Sequence, residues 1–569
     1  MRPVNLRLTW VQPEDLLGHE LRQAQEDGRD ARSVRRRWLD AGGALAPARA
    51  GASPHPAPPR LRTLAAELLD ELALLPSPLA AAEPTGLPAI IAACPDWPAP
   101  PPGPGPADSA YGASVPEPGD ASTAHPEPPA VARPGRGITG PDGEGAGPDA
   151  RTGDAPERPP GAADPGTDGS GTDGSAATGS LSGVARRAAE HRTPGPALGG
   201  PPQPPTPGPA RSSAGLTAAL HAAWLGRAAG CLLGKPVEKL PLDGIRALAR
   251  ATGNWPLTTW FTNRGVPAEL AAAHPWNRHS ADSSLAENID GMPEDDDLNY
   301  PLLNLLLLQR HGSGFRTADV GRLWLEQLPA GRTFTAERVA YRNLLSGLEP
   351  PLTALHHNPF REWIGALIRA DVHGWTHPGD PAAAAAQAYR DAALTHTANG
   401  VYGAMFLAAA LAEAGTGTAD VQQCLSAGLR VVPPSSRLAE AVRTGVTTAC
   451  AHRDFDAAVD RLHSAYGAYH WVHVVPNAAL LAAALTHADG DFSASICRAV
   501  SAGMDTDSIG AAAGSLAGLL AGSPDALPER WTAPLKNRLA TSVPGFDGVG
   551  FDTLAQLTCQ LTHQEALSP

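Results

Sequence analysis

Two acidic clusters, about two hundred positions apart, carry most of the chemistry this sequence can do. The first is Glu294-Asp295-Asp296-Asp297, followed at once by the apolar run LNYPLLNLLLL. The second is Asp505-Thr506-Asp507-Ser508, followed by the small-residue run IGAAAGSLAGLLAG. Each places oxygen donors at what reads as the first turn of a buried helix. Oxygen-only donor sets suit hard divalent cations such as Mg²⁺, Mn²⁺ or Ca²⁺ rather than zinc. Asp and Ser are also good helix N-caps, and acidic first turns complement the helix dipole. Four consecutive carboxylates exceed what a cap uses, and their mutual repulsion is destabilising unless cations neutralise it. A fold that brings the two helix starts together makes a carboxylate-lined site able to hold more than one metal ion.

The elements that must position these clusters read as helices. From Gly215 onward, helical patterns follow one another, punctuated by Pro, Gly and Asp as stops and starts, and period-2 strand runs are nearly absent. The fold class is therefore all-α. Two helices carry glycine every fourth residue, Gly226, Gly230 and Gly234 in one, Gly510, Gly514 and Gly518 in the other. Such a stripe lets backbones approach closely, as in membrane helix pairs. Here the runs are short and bounded by Lys235 and by Asp505 and Asp507, which predicts two helices packed together at the centre of a soluble core.

Residues 1–98 read as a small helical accessory module: a strand-like LRLTWV, then helical stretches with Trp10, Leu16, Leu17, Leu21, Trp38 and Leu39 as an apolar face. Too small for much independent core, it is expected to dock on the C-terminal domain. Residues 99–213 are Pro, Gly, Ala, Ser, Asp and Thr with almost no large apolar side chains. They bury too little to offset chain entropy and are expected to form a disordered linker. Residues 214–569 form the remaining domain.

The net charge of −14 and the presence of three lysines argue against nucleic-acid binding. An anionic ligand would need metal ions, helix N-termini or isolated arginines to hold it. The six cysteines include no CxxC pair and suit small core positions. The N-terminus lacks a signal-peptide apolar region and no run has eighteen uninterrupted apolar residues, so no membrane association is expected and the cytoplasm is the expected location.

Six segments, AWLGRAAGCLLGKPVEKLP, GMPEDDDLNYPLLNLLLL, FREWIGALIRADVHGWTHPGDP, THTANGVYGAMFLAAALAEA, VPNAALLAAAL and GMDTDSIGAAAGSLAG, resemble in this order the ADP-ribosylglycohydrolase family, over roughly Leu216 to Leu561. The resemblance implies a compact all-α domain with two Mg²⁺ (or Mn²⁺) ions in a central cleft. It implies a partner that is an ADP-ribosylated protein or an ADP-ribose-containing small molecule. The family's first metal motif, typically Thr-Asp-Asp-Thr, falls on Glu294 to Asp297, so carboxylates stand at both outer positions. The second, Asp-x-Asp-Thr/Ser, falls on Asp505, Asp507 and Ser508. Glu294, Asp295, Asp296, Asp505, Asp507 and Ser508 are then the expected metal ligands. Glu238, at the family's GxPxE position, is the expected acid–base or water-orienting group, with Asp296 beside it as a catalytic candidate. Asp297, His396, Asn399, Gly400 and Tyr402 are the expected substrate contacts. TAERVAYRNLL stands where many members carry a Gly-Asn-Gly loop.

The chemistry is coherent on residue types as well. Cleaving a glycosidic bond at ribose passes through an oxocarbenium-like state assisted by carboxylates, and a metal pair can chelate the ribose diol and activate water. The expected function is a Mg²⁺-dependent glycohydrolase acting on an N- or O-glycosidic bond of ADP-ribose. The alternatives are a non-catalytic ADP-ribose- or nucleotide-binding domain, and a glycohydrolase of another nucleoside or sugar derivative. Asp505 to Ile509 also partly matches a phosphohydrolase nucleophile loop, but that motif needs a preceding strand and FSASICRAVSAGM reads as helix. Arg369 and Asp371 read as members of an internal ion pair. His470, His473 and Asn477 lack the third strong ligand a zinc site requires.

Overall fold

Proline, glycine and capping side chains end one helix after another along this chain, and little else regular forms between them. The computed structural model describes residues 8–47, 51–53, 55–99 and 211–565. Among these it holds twenty-three α-helices and five short 3-10 helices, with isolated β-bridges in place of strands. The fold is all-α, as the patterning requires. The linker expected over 99–213 falls almost wholly outside the described residues. Its C-terminal end belongs to the first long helix: Ser212 is the N-cap of Ser213–Gly234 and accepts from the Gly215 N–H at 3.2 Å.

Ser213–Gly234 is the axis of the domain, and its partner is Thr506–Ala521. An alanine Cβ built at Gly226 would lie 2.1 Å from the Gly514 carbonyl oxygen, and one at Gly230 would lie 1.9 Å from that of Gly510. Reciprocally, a Cβ at Gly514 would lie 2.0 Å from the Gly226 oxygen. The two backbones touch, and only glycine permits it. Ser213–Val237 is also long and apolar enough to cross a membrane, but 83% of its apolar window is buried against its neighbours, which is how a core helix looks.

A substitution tests this contact. Alanine normally gains about 1 kcal/mol over glycine in a helix, but at Gly230 the backbones must separate, and overpacking costs about 1–3 kcal/mol or more. Gly230→Ala is expected to lower stability by about 2 kcal/mol in chemical denaturation. A variant as stable as the parent would show that the helices do not meet there.

The first acidic cluster opens the Asp296–His311 helix, whose leucines are buried on nearly every side. Pro301 sits inside it and has no N–H to offer the Asp297 carbonyl four residues back. Arg227, on the first glycine helix, supplies the missing donor: its Nε–H reaches the Asp297 carbonyl at 2.7 Å. The same guanidinium pairs with Asp297 Oδ1 at 3.2 Å and Asp371 Oδ2 at 2.7 Å, all fully buried. Arg369 pairs with Glu337 and Asp391, both at 2.9 Å. Arg369 and Asp371 are thus each in an internal ion pair, but not with one another.

The N-terminal residues and those from 211 onward pack into one compact unit. Pro13–Glu26, Arg32–Asp40, Pro59–Ala73 and Leu87–Ala93 are helices; Leu16, Leu17, Leu21 and Trp38 are buried, whereas Leu39 stays exposed. The strand expected at LRLTWV is not seen among its described residues, 8–11, which form a turn and irregular chain. Arginines of the larger domain hold the module. Arg361 pairs with Glu20 at 2.8 Å and Asp27 at 3.2 Å, and Arg437 pairs with Glu83 at 2.7 Å. Arg342 donates to the Val11 carbonyl at 3.1 Å.

Candidate metal centre and substrate cleft

The second acidic cluster rides on a strained turn. Gly503 and Met504 both take left-handed φ, 79° and 61°, a region unfavourable to a residue with a side chain. The reversal delivers Asp505 to the N-cap position of Thr506–Ala521, yet its carboxylate makes no capping hydrogen bond. That answers the alternative reading of this residue: it is placed as a cap and does not cap. Its N–H donates to Asn477 Oδ1 at 3.2 Å, while Asn477 Nδ2 donates to the carbonyls of Trp471 (2.7 Å) and His473 (2.9 Å). Asn477 therefore ties the acidic turn to the aromatic YHWVH stretch.

Glu238 arrives from the other glycine helix. Lys235–Val237 form a single 3-10 turn after Gly234, and Lys239 follows Glu238 with φ at 71°. Thr506 Oγ1 donates to the Gly234 carbonyl at 2.8 Å, pinning the end of one glycine helix to the start of the other. As a result Glu238, Asp505 and Asp507 each offer an oxygen within 4.8 Å of the others. Glu238 is fixed from behind, accepting from Asn277 Nδ2 at 2.7 Å and pairing with Lys239 at 2.9 Å.

The first cluster divides its labour. Asp295 is a true N-cap, accepting from the Asp297 N–H at 2.9 Å, and it pairs closely with the buried Lys235. Asp297 is buried on Arg227 and accepts from Ser508 Oγ at 3.3 Å, which links the two acidic helix starts. Asp296 lines the cleft, and its carboxylate has no hydrogen-bond partner among the described residues. Glu294 turns aside: its carboxylate pairs with Arg332 at 2.7 Å and accepts from the Ser542 N–H at 2.9 Å and Asn299 Nδ2 at 3.1 Å.

Crowding shows in the acidities. Burial, then Asp507 and Glu238, push the Asp505 carboxyl well above the carboxylate range. Burial, then Glu238 and Asp295, raise Asp507 to about 7. Burial, then Asp295, Asp507 and Glu238, raise Asp296 well above its usual value. Burial also works against Asp295, but Lys235 and the Asp297 N–H outweigh it and hold that carboxyl low. Lys235 and Lys239 cannot neutralise this many carboxylates. A donor set of Asp296, Asp505 and Asp507 with Ser508 Oγ, all oxygen, its carboxylates mutually repelling and Glu238 alongside, fits a hard divalent cation.

These groups lie at the floor of a cavity of about 760 Å³, within the range of small-molecule sites. One wall is aromatic: Trp363 stacks on His470 with ring centres 4.3 Å apart and planes 11° off parallel, and Trp471 adjoins. Glu337, already paired with Arg369, also borders the cavity.

Glu238, Glu294, Asp295, Asp296, Asp297, Asp505, Asp507 and Ser508 all border this cavity, although Glu294, committed to Arg332, stands outside the close carboxylate group. His396, Asn399, Gly400 and Tyr402 do not border it, and for these the expectation is corrected. Asn399 is buried, holding the Leu438 N–H at 2.9 Å and Glu362 at 3.3 Å. Gly400 packs on the Arg361 carbonyl, which an added Cβ would meet at 2.5 Å. The Tyr402 hydroxyl donates to the Pro84 carbonyl of the N-terminal module. His396 is buried and bonded to Thr395 Oγ1 at 2.6 Å. The loop leads into a helix start, but that start faces the seam under the module. No zinc geometry forms at His473 either: its Nδ1 accepts from the Val475 N–H as a helix cap. Sequence reasoning missed Asn277 and Trp363 altogether; it read Lys235 only as the end of a glycine helix, and His470 and Asn477 only as part of an incomplete zinc set beside an aromatic patch.

The sequence profile of the ADP-ribosylglycohydrolase family matches residues 212–566. A solved structure described as an ADP-ribosylglycohydrolase-related protein complex aligns with 19% identity and a TM-score of 0.37, covering 62% of this chain and 100% of its own. No curated protein matches the chain. The family match spans both glycine helices, both acidic clusters and Glu238, and with it the chain belongs to the ADP-ribosylglycohydrolase family.

Proposed function

We propose that this cleft hydrolyses a glycosidic bond at the anomeric carbon of ribose in an ADP-ribose-bearing substrate, with Mg²⁺ as the metal. The observation that carries the reading is the convergence of Glu238, Asp505 and Asp507, oxygens within 4.8 Å of one another, on the floor of a nucleotide-sized cavity with a stacked aromatic wall. Family membership supports the reaction class. Asp296, Asp505 and Asp507, with Ser508 Oγ, are the residues that would hold the metal. A bound divalent cation there supplies Lewis acidity toward the ribose oxygens and the attacking water.

The chain's own groups do the rest. Glu238 is anchored by Asn277 and Lys239, so its carboxylate is held at the border of the cleft. As the water oxygen bonds to the ribose carbon, Glu238 accepts the water's proton. The glycosidic bond breaks, its electron pair leaves with the departing nitrogen or oxygen, and that atom takes up the proton Glu238 accepted, which restores the carboxylate. Asp507 and Asp505, when ionised, also favour the positive charge that develops on the ribose ring.

Glu238→Gln keeps the shape and removes the basic carboxylate. Turnover is expected to fall about a hundredfold or more, the size of a general acid–base contribution, with ADP-ribose affinity little changed. The assay panel is ADP-ribosyl-arginine, ADP-ribosyl-serine, O-acetyl-ADP-ribose and simple nucleosides, each with Mg²⁺. Parent protein that binds ADP-ribose and cleaves none of these would favour a binding module. Equal cleavage by both proteins would remove Glu238 from the mechanism.

A further inference from the structure

The cavity is not walled by the family domain alone. Trp10, His19, Arg22 and Gly51 border it, and all lie in the N-terminal segment, outside the matched residues 212–566. They reach it because the module is locked down. Glu20 and Asp27, on and just after the Pro13–Glu26 helix, pair with Arg361, and Glu83 pairs with Arg437. Leu16, Leu17 and Leu21 of that helix are buried. His19 and Arg22, three residues apart, share one helix face. The His19 ring packs on Phe360 and Trp363 with centres 5.1 and 5.8 Å apart.

Charge decides what this wall does. An ADP-ribose-bearing substrate is an anion entering a cleft lined by carboxylates. Lys235 is spent on Asp295, Lys239 on Glu238 and Arg332 on Glu294. Arg22 also lines the cavity, and it makes no hydrogen bond or ion pair among the described residues. Glu26, one turn on, feels its charge, yet that carboxyl is itself raised to about 7 by burial and Glu362 despite Arg22. A half-buried guanidinium with no ion pair among the described residues, in a ligand-sized cavity, is free to take an anion, and its planar fork matches phosphate oxygens in pairs. Beside it, His19 Nε2 is buried and also without a partner among the described residues. Burial, aided by Arg22, lowers that imidazole to about 4, so near neutrality it offers a neutral nitrogen and adds no competing charge.

We propose that the N-terminal module is part of the substrate site, with Arg22 as the cation that binds the diphosphate and restricts the cleft to phosphate-bearing substrates. This rests on the proposed function, naming the recognition of its substrate. It makes the module a specificity wall that the family domain lacks by itself.

The test uses the full chain with Mg²⁺ and three probes, ADP-ribose, ADP and adenosine, in calorimetry. Hydrogen bonds to a charged partner contribute about 1.5–3 kcal/mol, so Arg22→Gln is expected to weaken ADP-ribose and ADP by about ten- to a hundredfold. Adenosine affinity and the Mg²⁺ shift in Tm are expected to stay at parent values, and Arg22→Lys to restore part of the loss. If Arg22→Gln binds ADP as the parent does, or loses adenosine and ADP equally, Arg22 is not the diphosphate contact. Parent protein that binds neither ADP-ribose nor ADP overturns the functional reading beneath it as well.

Discussion

Asp507→Asn is expected to abolish the thermal stabilisation that Mg²⁺ confers on the parent and to lower turnover by about a thousandfold. The first figure follows from linkage: a ligand bound only by the native state, at a hundred times its Kd, adds about 2.7 kcal/mol, roughly 4 °C in Tm for a domain of this size. The second follows from the several kcal/mol a Lewis-acid ion contributes, at about 1.4 kcal/mol per decade. Asp507 is chosen because it faces both Glu238 and Asp505. A variant that still titrates Mg²⁺ and still turns over like the parent would place the centre elsewhere.

The same residue fixes a pH signature. Asp507 titrates near 7 in the metal-free fold, above its unfolded value of about 3.9. Between these values the native state binds more protons than the unfolded chain, so its stability falls as pH rises. Buried neutral histidines such as His373 and His473, lowered chiefly by burial, act in the opposite sense, but only below their unfolded value of about 6.5. In EDTA the parent is therefore expected to lose Tm between about pH 6.5 and 8. Mg²⁺ should recover that loss, and Asp507→Asn should show a smaller slope without metal. A parent whose Tm in EDTA is flat or rising over that window would contradict the crowding of carboxylates.

Much of this could be read from residue order. Glycine at every fourth position in two helices announces a backbone contact whatever surrounds it, and the contact at Gly230 and Gly510 follows from the lack of Cβ atoms. Helix starts were legible because Asp and Ser have few other reasons to precede long apolar runs. What those acidic residues do at the helix start was not legible. Asp295 caps and Asp505 does not, and the difference lies in the left-handed Gly503-Met504 turn and in Asn477, nearly thirty positions away in sequence. Glu294 looked like a ligand until Arg332, from a different loop, claimed it. The loop at His396 to Tyr402 has the composition of a ligand loop, but the N-terminal module covers it through Pro84. Such partners are set by tertiary approach, which no local pattern encodes.

Arg227→Met is the substitution that joins fold to site, and it is expected to destabilise the protein by about 3–5 kcal/mol. Arg227 is fully buried between Asp297 and Asp371 and also caps the carbonyl that Pro301 leaves without a donor. A methionine fills much of the volume but strands two carboxylates in the core, and breaking a buried pair from one side has that magnitude. Burial already raises both carboxyls: Asp297 well above its usual value, through burial and then Asp295, and Asp371 through burial against the pull of Arg227. Without the guanidinium both rise further, so the variant's native state takes up protons that the unfolded chain releases above about pH 4. Its deficit should then be smaller at about pH 5.5 than at about pH 8, and adding Asp371→Asn and Asp297→Asn should return part of the stability at the higher pH. Because Ser508 Oγ donates to Asp297, the single variant should also bind Mg²⁺ more weakly. Urea denaturation of the parent, the single variant and the triple variant at both pH values is the measurement. A deficit under about 1 kcal/mol, well below the cost of stranding a buried charge, or one that does not grow with pH, would mean that Arg227 is not neutralising this pair.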